Sequence, residues 1–295
     1  MGAILCNAAE TLQEYEHIDR KTLNRDDRFM TVHPEHVAAG GSRERSRRLA
    51  ELLELIAERR RLSLTELTEE FGMSAATVRR DLAVLAQQGL VTRYHGGVKA
   101  SQRLPEIPVA LRDTRFEDAK RRIAVAAAAR IPRQRHGIAI GGGTTTAGVA
   151  RELTDRSELT IVTNSLTIAT LVAAHPQLKV LMTGGLLRPQ SLELVGLLAE
   201  GTFTAVNVGT AVLGVDGVSA AAGLTTHDET EARTNHAMLA KAQRTIVVAD
   251  GSKVGKAALA KIADVDQVET FITDRSADAA ELDAIRAHGV EVVVV

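Results

Sequence analysis

The sequence predicts an α/β protein of two domains, in which a short helical domain with a β-hairpin precedes a three-layer α/β domain. Length favours two domains, because 295 residues exceed what one compact core usually holds. Residues 43–100 have the spacing and capping signals of short helices. Seven short apolar, β-branched runs follow, most of them separated by stretches with helical spacing. This alternation indicates a largely parallel sheet covered on both faces.

Composition narrows the class of protein. The chain is 45% hydrophobic and 25% charged, with a net charge of -1, as in an ordinary globular protein. One cysteine excludes an internal disulfide framework and a cysteine-rich zinc site, and the histidines have no metal-ligand spacing, so neither metal nor cofactor is expected. No apolar run approaches the roughly 18 residues of a membrane span, and the N-terminus lacks a secretory signal profile. We therefore expect a cytoplasmic protein.

Domain boundaries follow from the same patterns. Residues 1–42 show no sustained helical or strand period and are expected to form a flexible leader. Residues 43–100 form the first domain, and a polar stretch containing Pro105 makes residues 101–107 a linker. The second domain spans residues 108–295, with predicted strands at residues 137–140, 159–163, 178–182, 210–213, 245–248, 269–273 and 290–295.

Three helices are predicted in the first domain. The first has apolar residues at positions 49, 52, 53 and 56, which fall on one face. Ser63 and Glu66 form a capping box before the second, and Gly72 supplies the turn after it because glycine tolerates a positive φ. Ser74 is placed to cap the third helix, and Gly89 to end it. The side chains of the third helix expected to face inward are Val78, Leu82 and Leu85.

The outer side of the third helix is cationic. Arg79 and Arg80 are adjacent there, and arginine can hold a DNA phosphate or bind guanine. An arginine pair alone is more often a solvated helix face, but in a helix-turn-helix the second helix of the motif enters the major groove. After the helix, a turn at residues 95–97 predicts a hairpin that would bring Arg93, His95 and Lys99 near the DNA backbone. Residues 43–99 contain 11 basic and 8 acidic residues, counting histidine as neutral.

This arrangement resembles a known family. The string "LSLTELTEEFGMSAATVRRDLAVLAQQGLVTRYHGGV", and within it the pattern "TVRRDL…L…G…R.HGG", is similar to the winged helix-turn-helix of DeoR-type bacterial transcription regulators. The resemblance covers almost all of residues 43–100. It implies a double-stranded DNA operator as the partner. The implied DNA contacts are Ser74, Thr77, Arg79 and Arg80 in the helix, with the wing at His95, Gly96 and Gly97. The hairpin adds Arg93 to these candidate DNA-binding residues.

A second candidate site lies in the α/β domain. In "IAIGGGTTTAGVARELT" a strand ends at Ile140, three glycines follow, and three threonines open a helix. Free amides at a helix N-terminus bind anions, but a plain tight turn is an equally good interpretation of this spacing. Polar residues also follow other strands, and the carboxyl ends of parallel strands are where ligands bind. Each of these residues alone is more often a turn or cap, although Lys253 could supply a cation and Asp216 could accept sugar hydroxyls.

Here too the sequence resembles the DeoR family. The segments "GGGTTT", "IVTNSL", "TGGLLRPQSLELVG", "LGVDGV", "GLTTHDETEA" and "ADGSKVGKAAL" look, in order, like its sensor domain, which is similar in fold to ribose-5-phosphate isomerase and commonly binds a phosphorylated sugar. Two positions depart from the family pattern, which usually has aspartate in place of Gly141 and often lysine in place of Asn235. The candidate effector-binding residues are Gly142, Gly143, Thr144, Thr145, Thr146, Asn164, Ser165, Gly184, Gly185, Asp216 and Lys253.

Three functions are compatible with these patterns. The favoured one is a sequence-specific repressor of carbohydrate metabolism genes, a homodimer or homotetramer released from its operator by a small-molecule effector such as a sugar phosphate. The first alternative is an activator or DNA binder without metabolite control. The second is a sugar-phosphate isomerase with Glu231 or Asp228 as its base. It is weaker, because acids commonly begin helices and the lysine is missing at position 235.

Overall fold

The computed structural model describes residues 39–101, 106–112 and 115–295. Most of the predicted leader and the centre of the predicted linker, including Pro105, therefore lie outside the described residues. Helix α1 spans Ala39–Arg59, so its first turn falls within the segment predicted as leader. No helix among the described residues is both long and apolar enough to cross a bilayer.

The first domain is a winged helix-turn-helix. After α1 come β1 (Arg61–Ser63), α2 (Leu64–Phe71) and α3 (Ala75–Gln87), then β2 (Val91–Tyr94) and β3 (Gly97–Ala100). The predicted capping box is present at α2, since the Ser63 hydroxyl accepts from Glu66 N–H while the Glu66 carboxylate accepts from Ser63 N–H. Gly72 takes φ 59°, the left-handed conformation that lets the chain turn between α2 and α3.

The apolar faces of these helices meet in one small core. It is lined by Leu52 and Ile56 of α1, Leu67 of α2, and Val78, Leu82 and Leu85 of α3, all buried. The predicted hairpin joins β2 to β3, and β1 adds a third strand that pairs antiparallel with β3. Strand β1 was not predicted, because three residues are too few to show a strand period. The α3 helix ends at Gln87 with Gln88 as its C-cap, so Gly89, predicted to end the helix, instead follows the cap with φ 72°.

Two short helices connect the domains and open the second one. Helix α4 (Val109–Arg112) is a single turn, and α5 (Glu117–Ala128) is the first helix to cover the sheet. Leu111 of α4 is buried in the core of the winged helix-turn-helix rather than in that of the following domain. The connection is therefore packed against the first domain at this point.

A seven-stranded parallel sheet forms the centre of the second domain, as predicted. Its strands are β4 (His136–Ile140), β5 (Leu159–Thr163), β6 (Lys179–Met182), β9 (Val208–Gly214), β12 (Ala242–Val248), β14 (Thr270–Thr273) and β15 (Glu291–Val294). Their order across the sheet is β15-β14-β12-β9-β4-β5-β6, and every neighbouring pair is parallel. The five inner strands are rich in Val, Ile and Ala because both of their faces are largely buried, whereas the edge strands β6 and β15 are largely exposed.

Helices cover the sheet on both sides, giving the predicted three layers. One side carries α5, α6 (Thr144–Glu152) and α7 (Leu166–Ala173), and the other carries α8 (Leu197–Ala205), α9 (Glu229–Ala240) and α10 (Ala279–Ala287). Antiparallel pieces that the sequence did not predict also lie in this domain. They are the hairpin of β7 (Leu186–Arg188) and β8 (Glu193–Val195), and a small sheet of β10 (Gly217–Ser219), β11 (Gly223–Thr226) and β13 (Ala260–Ala263).

Candidate functional site

Helix α3 presents a cationic outer face on a rigid base. Its cap residue Ser74 accepts a hydrogen bond from Thr77 N–H at 3.3 Å and lies 3.0 Å from the Thr77 hydroxyl. Arg79 and Arg80 are both exposed, while the side chains on the opposite face of the helix are buried. The Arg80 Nε–H donates to the Ala76 carbonyl at 3.3 Å, which holds one edge of its guanidinium group along the helix. The two guanidinium groups are therefore available to a partner in solution.

Asp81, directly after the two arginines, is buried and was not predicted as important. Its carboxylate accepts a hydrogen bond from Arg48 Nε of α1 at 2.7 Å and lies 3.6 Å from Arg45 Nε. This pair fixes the rotation of α3 relative to α1 and so fixes the direction in which Arg79 and Arg80 point. In the sequence, the only indication that Asp81 pairs with a cation was that an acidic residue stands among the apolar positions of the helix.

The wing beside α3 contains the other predicted DNA-binding residues. Arg93, His95 and Gly96 are exposed at or near the turn between β2 and β3. Tyr94 anchors that turn, because its hydroxyl donates to the Leu62 carbonyl at 3.2 Å and its ring lies under Arg61 at 4.3 Å. Gly97 is only partly exposed and packs against Leu62 and Tyr94, so its position is set by the fold of the wing.

A pocket opens at the carboxyl ends of β4, β9 and β12. Seven predicted effector-binding residues line it. They are Gly142, Gly143, Thr144, Thr145, Thr146, Asp216 and Lys253. The first helical hydrogen bond of α6 runs from Ala147 N–H to the Gly143 carbonyl at 3.1 Å, and no side chain in the described part of the chain caps this helix. The amides of Thr144 and Thr145 precede that bond, so they are free to donate to a ligand.

The other four predicted residues do not line this pocket. Asn164 is fully buried and its Nδ2 donates to the Leu194 carbonyl and to Glu193, both at 3.3 Å. Ser165 caps α7 by accepting from Ile168 N–H. Gly184 lies beside Leu198, and Gly185 packs against the backbone of β8. In this structure these residues hold the β7–β8 hairpin and α7 in place, and they support the pocket from outside.

Asp216 is the centre of an ion-pair network in the pocket. Its Oδ1 accepts from Arg112 Nη1 at 3.0 Å and from Lys253 Nζ at 3.3 Å, and its Oδ2 accepts from the Thr226 hydroxyl at 3.0 Å. Burial alone would raise the pKa of Asp216, but the nearby Arg112 and Lys253 hold it below its usual value. Both cations therefore already have a carboxylate partner in the protein.

A second arginine is paired deeper in the same region. Arg188 of β7 binds Glu106 through both terminal nitrogens, with the Nη1–Oε1 distance at 3.1 Å, and its Nη1 lies 3.1 Å from Glu231 Oε2. Arg112 reaches the same Glu106 at 3.3 Å. Burial and the nearby Glu193 raise the pKa of Glu231 to about 8. The pocket thus contains several carboxylates whose charges are balanced chiefly by arginine and lysine side chains.

Glu193 of β8 contacts the glycine-rich loop directly. Its Oε1 accepts the Gly142 N–H at 2.8 Å and the Asn164 side-chain amide at 3.3 Å, and the residue is only 3% exposed. Any side chain at position 142 would collide with this carboxylate, so glycine is required for the close approach. The sequence did not single out Glu193, because its partner amide lies 51 residues away along the chain.

The two positions that depart from the family pattern face each other. A Cβ at Gly141 would stand 3.8 Å from Asn235 Oδ1 and 3.1 Å from both Leu213 Cδ1 and Met238 Cε. Asn235 is buried, and its Oδ1 has no hydrogen-bond partner among the described residues. An acid and a lysine at these two places would be neighbours. Here both charges are absent together, and Leu213 and Met238 fill the space beside the loop.

Known proteins match both domains. The model of the DeoR-like helix-turn-helix domain matches residues 48–103, and that of the DeoR C terminal sensor domain matches residues 115–275. The transcriptional regulator GlpR of Haloferax volcanii is 34% identical, covering 85% of this chain and 96% of GlpR. The transcriptional repressor CsqR of Escherichia coli is 32% identical, with 83% and 93% covered. The glycerol-3-phosphate regulon repressor of Escherichia coli is 29% identical, with 81% and 95% covered.

Among solved structures, ribose 5-phosphate isomerase A of Methanocaldococcus jannaschii aligns with a TM-score of 0.35 and 19% identity. The alignment covers 46% of this chain and 54% of the isomerase.

Proposed function

Because this chain belongs to the DeoR family of transcription regulators, we propose that it represses carbohydrate metabolism genes until a phosphorylated sugar, or a related metabolite, binds the pocket of its sensor domain. The chain is a DNA-binding regulator with a sensor domain, and its relatives are named as regulators rather than as enzymes. We place its action in the cytoplasm, on a double-stranded operator.

DNA contact is assigned to the exposed face of α3. Ser74, Thr77, Arg79 and Arg80 lie on its first two turns, which is the part of a recognition helix that enters the major groove. Arg93 and His95 of the wing are assigned to the DNA backbone. Phosphate contacts of this kind make binding strongly dependent on salt, because each one releases counterions from the duplex.

Effector binding is assigned to the pocket at the strand ends. The free amides of Thr144 and Thr145 at the start of α6 suit a phosphate group, since a helix N-terminus carries partial positive charge. Lys253 and Arg112 can add charge-assisted hydrogen bonds to the same group when it displaces Asp216. Asp216 can then accept hydrogen bonds from the hydroxyl groups of the sugar.

The position of α4 is the observation that carries the proposed control of DNA binding. Leu111 is 4% exposed and packs in the core of the winged helix-turn-helix, whereas Arg112, the next residue, enters the effector pocket and binds Asp216. Arg115 also lines the pocket and forms an ion pair with Glu54 of α1. An effector that takes Arg112 from Asp216 would therefore move a segment that belongs to the core of the DNA-binding domain.

A homo-oligomer is proposed from an exposed apolar surface. We define the leucine face as six exposed apolar side chains around the edge strand β6, the hairpin of β7 and β8, and the start of α8. They are Leu181, Met182, Leu186, Leu187, Leu197 and Leu198. Leu197 is 82% exposed and Leu186 is 77% exposed. A group of exposed apolar side chains is typical of an interface, and helix-turn-helix proteins that bind two half-sites need two copies.

A gel-shift experiment tests the proposal. The full chain is bound to DNA fragments from the region upstream of its own gene and neighbouring genes, and sugar phosphates are added one at a time, each beside the matching unphosphorylated sugar. We expect one phosphorylated compound to release the DNA and its unphosphorylated form to be ineffective. Binding that no compound in the panel changes would contradict metabolite control and favour a DNA binder without it.

A further inference from the structure

Glu193 occupies a place that an anionic ligand would otherwise take. Its carboxylate accepts the Gly142 N–H at 2.8 Å, so the second amide of the loop at residues 141–146 already has an anion from the protein itself. Gly142 allows this approach because it lacks a side chain. Two residues later the free amides of α6 begin, which is where the phosphate of an effector is proposed to bind. Glu193 and that phosphate would thus be close neighbours.

The carboxylate is held there from several directions. Asn164 donates to the same oxygen at 3.3 Å, and the backbone of β8 is fixed by a bridge between Glu193 and Ser165 and by the hydrogen bond from Leu194 N–H to the Asn164 carbonyl at 2.8 Å. Glu193 cannot swing into solvent without breaking these contacts. A ligand must therefore be accepted with Glu193 in place, or the hairpin must open.

The charges around Glu193 come from every element that lines this part of the pocket. The acidic ones are Glu106 before α4, Asp216 after β9, Asp250 after β12, and Asp228 and Glu231 at α9; the basic ones are Arg112 of α4, Arg115 after it, Lys120 of α5, Arg188 of β7 and Lys253. Burial raises the pKa of Glu193, although the Gly142 amide and Arg112 oppose the shift. Burial and Glu193 likewise raise the pKa of Glu231 to about 8.

We propose that Glu193 is the residue that sets which effectors this pocket accepts: its carboxylate is a resident anion on the loop, and a doubly charged phosphate binds only together with a proton taken up at Glu193. The inference rests on the proposed function, because it concerns the same pocket and the same class of ligand. The proton comes from solvent and is placed on the Glu193 oxygen that does not accept the Gly142 N–H. No bond other than that O–H is formed.

Like charges explain why the proton is needed. At an effective dielectric constant near 20, two unit charges about 5 Å apart repel each other enough to weaken binding by roughly two orders of magnitude. Neutralising Glu193 removes that repulsion while its Oε1 still accepts the Gly142 N–H. The pocket consequently favours singly charged or neutral ligands at high pH and admits phosphate esters as the pH falls. Because Gly141 and Asn235 carry no charge, Glu193 and the charged residues around it determine the net charge that a ligand meets in the pocket.

The test measures anion affinity between pH 7.5 and 9 on the full chain. Sulfate is one probe, because its charge is constant over this range, and fructose 6-phosphate is the other, because phosphate monoesters have their second pKa near 6. For the wild type we expect affinity to fall with rising pH, by up to about tenfold per unit for one proton taken up. Calorimetry in two buffers of different ionisation enthalpy should give about one proton taken up per anion bound.

The variant Glu193→Gln keeps the shape and the acceptor oxygen and removes the charge. It should bind sulfate at pH 8 at least tenfold more tightly than the wild type, with a flatter dependence on pH. Glu291→Gln is the matched control, since it removes one carboxylate charge at the far edge strand β15, and it should behave as the wild type. Should Glu193→Gln fail to fold, the proton count decides, measured on Glu231→Gln so that Glu231, whose pKa is raised to about 8, cannot be the group protonated.

Two results would overturn the inference. One is equal or weaker anion binding by Glu193→Gln, including the absence of binding by both proteins. The other is wild-type affinity that does not change with pH, with no proton taken up. Neither result bears on the proposed function by itself, because release of the wild type from DNA is measured separately in the gel shift and can succeed while this inference fails.

Discussion

Replacing Arg112 by methionine should separate effector binding from DNA release. Within the described residues, Arg112 is the only residue of α4 that donates a hydrogen bond to Asp216. Its neighbour Leu111 is buried in the core of the DNA-binding domain. Methionine has a similar length and helix propensity but no charge. The variant should therefore keep α4 in place against the first domain while removing the group through which the pocket holds it.

The free energy lost in the Arg112→Met variant can be worked out from the ion-pair partners that remain. At 3.0 Å and an effective dielectric constant of 20, the attraction between Arg112 and Asp216 is about 5 kcal/mol before the cost of desolvation. After the substitution Asp216 still has Lys253 at 3.3 Å, and Glu106 still has Arg188 at 3.1 Å. Because neither carboxylate is left alone, we expect a net loss of about 2 kcal/mol. That corresponds to roughly 30-fold in the equilibrium constant for holding α4 in the pocket.

The assay is fluorescence anisotropy of labelled operator DNA, with and without saturating effector. Saturation matters because Arg112 is also a proposed effector contact, and a weaker affinity must not be mistaken for lost coupling. Without effector, the Arg112→Met protein should bind the operator within about threefold of the wild type, since α3 and the wing are unchanged. With effector, the wild type should release the DNA, whereas the variant should change its affinity by less than about twofold, as expected when the two sites are uncoupled.

Arg130→Met is the matched control, because Arg130 also pairs with a carboxylate, Glu291 at 2.9 Å, but at an exposed position on the edge of the sheet. It should respond to effector as the wild type does. If Arg112→Met at saturation is released by the same factor as the wild type, then α4 does not connect the pocket to the DNA-binding domain and the reasoning is refuted.

Further predictions concern DNA contact, stability and assembly. Changing Arg79 or Arg80 to alanine should weaken operator binding by about 1–3 kcal/mol where a base contact is lost. Loss of a phosphate contact should instead lower the salt slope by about 0.9; a variant with unchanged affinity and slope would rule that arginine out. Asp81→Asn should lower the free energy of unfolding by about 2 kcal/mol, because the amide can still accept from Arg48 but no longer carries the buried negative charge that pairs with it, and a thermal melt equal to that of wild type would refute this. Leu197→Glu combined with Leu198→Glu should give a smaller species in analytical ultracentrifugation, and an unchanged sedimentation coefficient would remove the leucine face as an interface.

Local signals in the sequence were enough to predict the DNA-binding domain. The capping box at Ser63, the glycine turn at Gly72 and the cap at Ser74 are all present in the structure, because each depends on residues within three or four positions of one another. The seven parallel strands were predicted for a similar reason. Strands buried on both faces have continuous apolar, β-branched sequences that stand out from the helices between them.

Contacts between distant parts of the chain could not be predicted in this way. Arg112 and Asp216 are 104 residues apart, and Glu193 is 51 residues from Gly142, so no spacing reveals either pair. The position of a residue after a strand also says little about where its side chain points. Asn164 follows β5 as expected, yet its amide is used to hold the backbone of β8 and a neighbouring carboxylate. Sequence patterns thus located the edge of the sheet but not the charge balance of the pocket.

The most direct test of the account measures both halves of one thermodynamic cycle on the same preparation. Operator affinity is determined with and without the effector found in the gel shift, and effector affinity is determined for the free protein and for the operator complex. Control of DNA binding through the pocket requires the effector to weaken operator binding by some factor and the operator to weaken effector binding by the same factor, which we expect to be at least tenfold. Equal effector affinity for the free and the DNA-bound protein would contradict it.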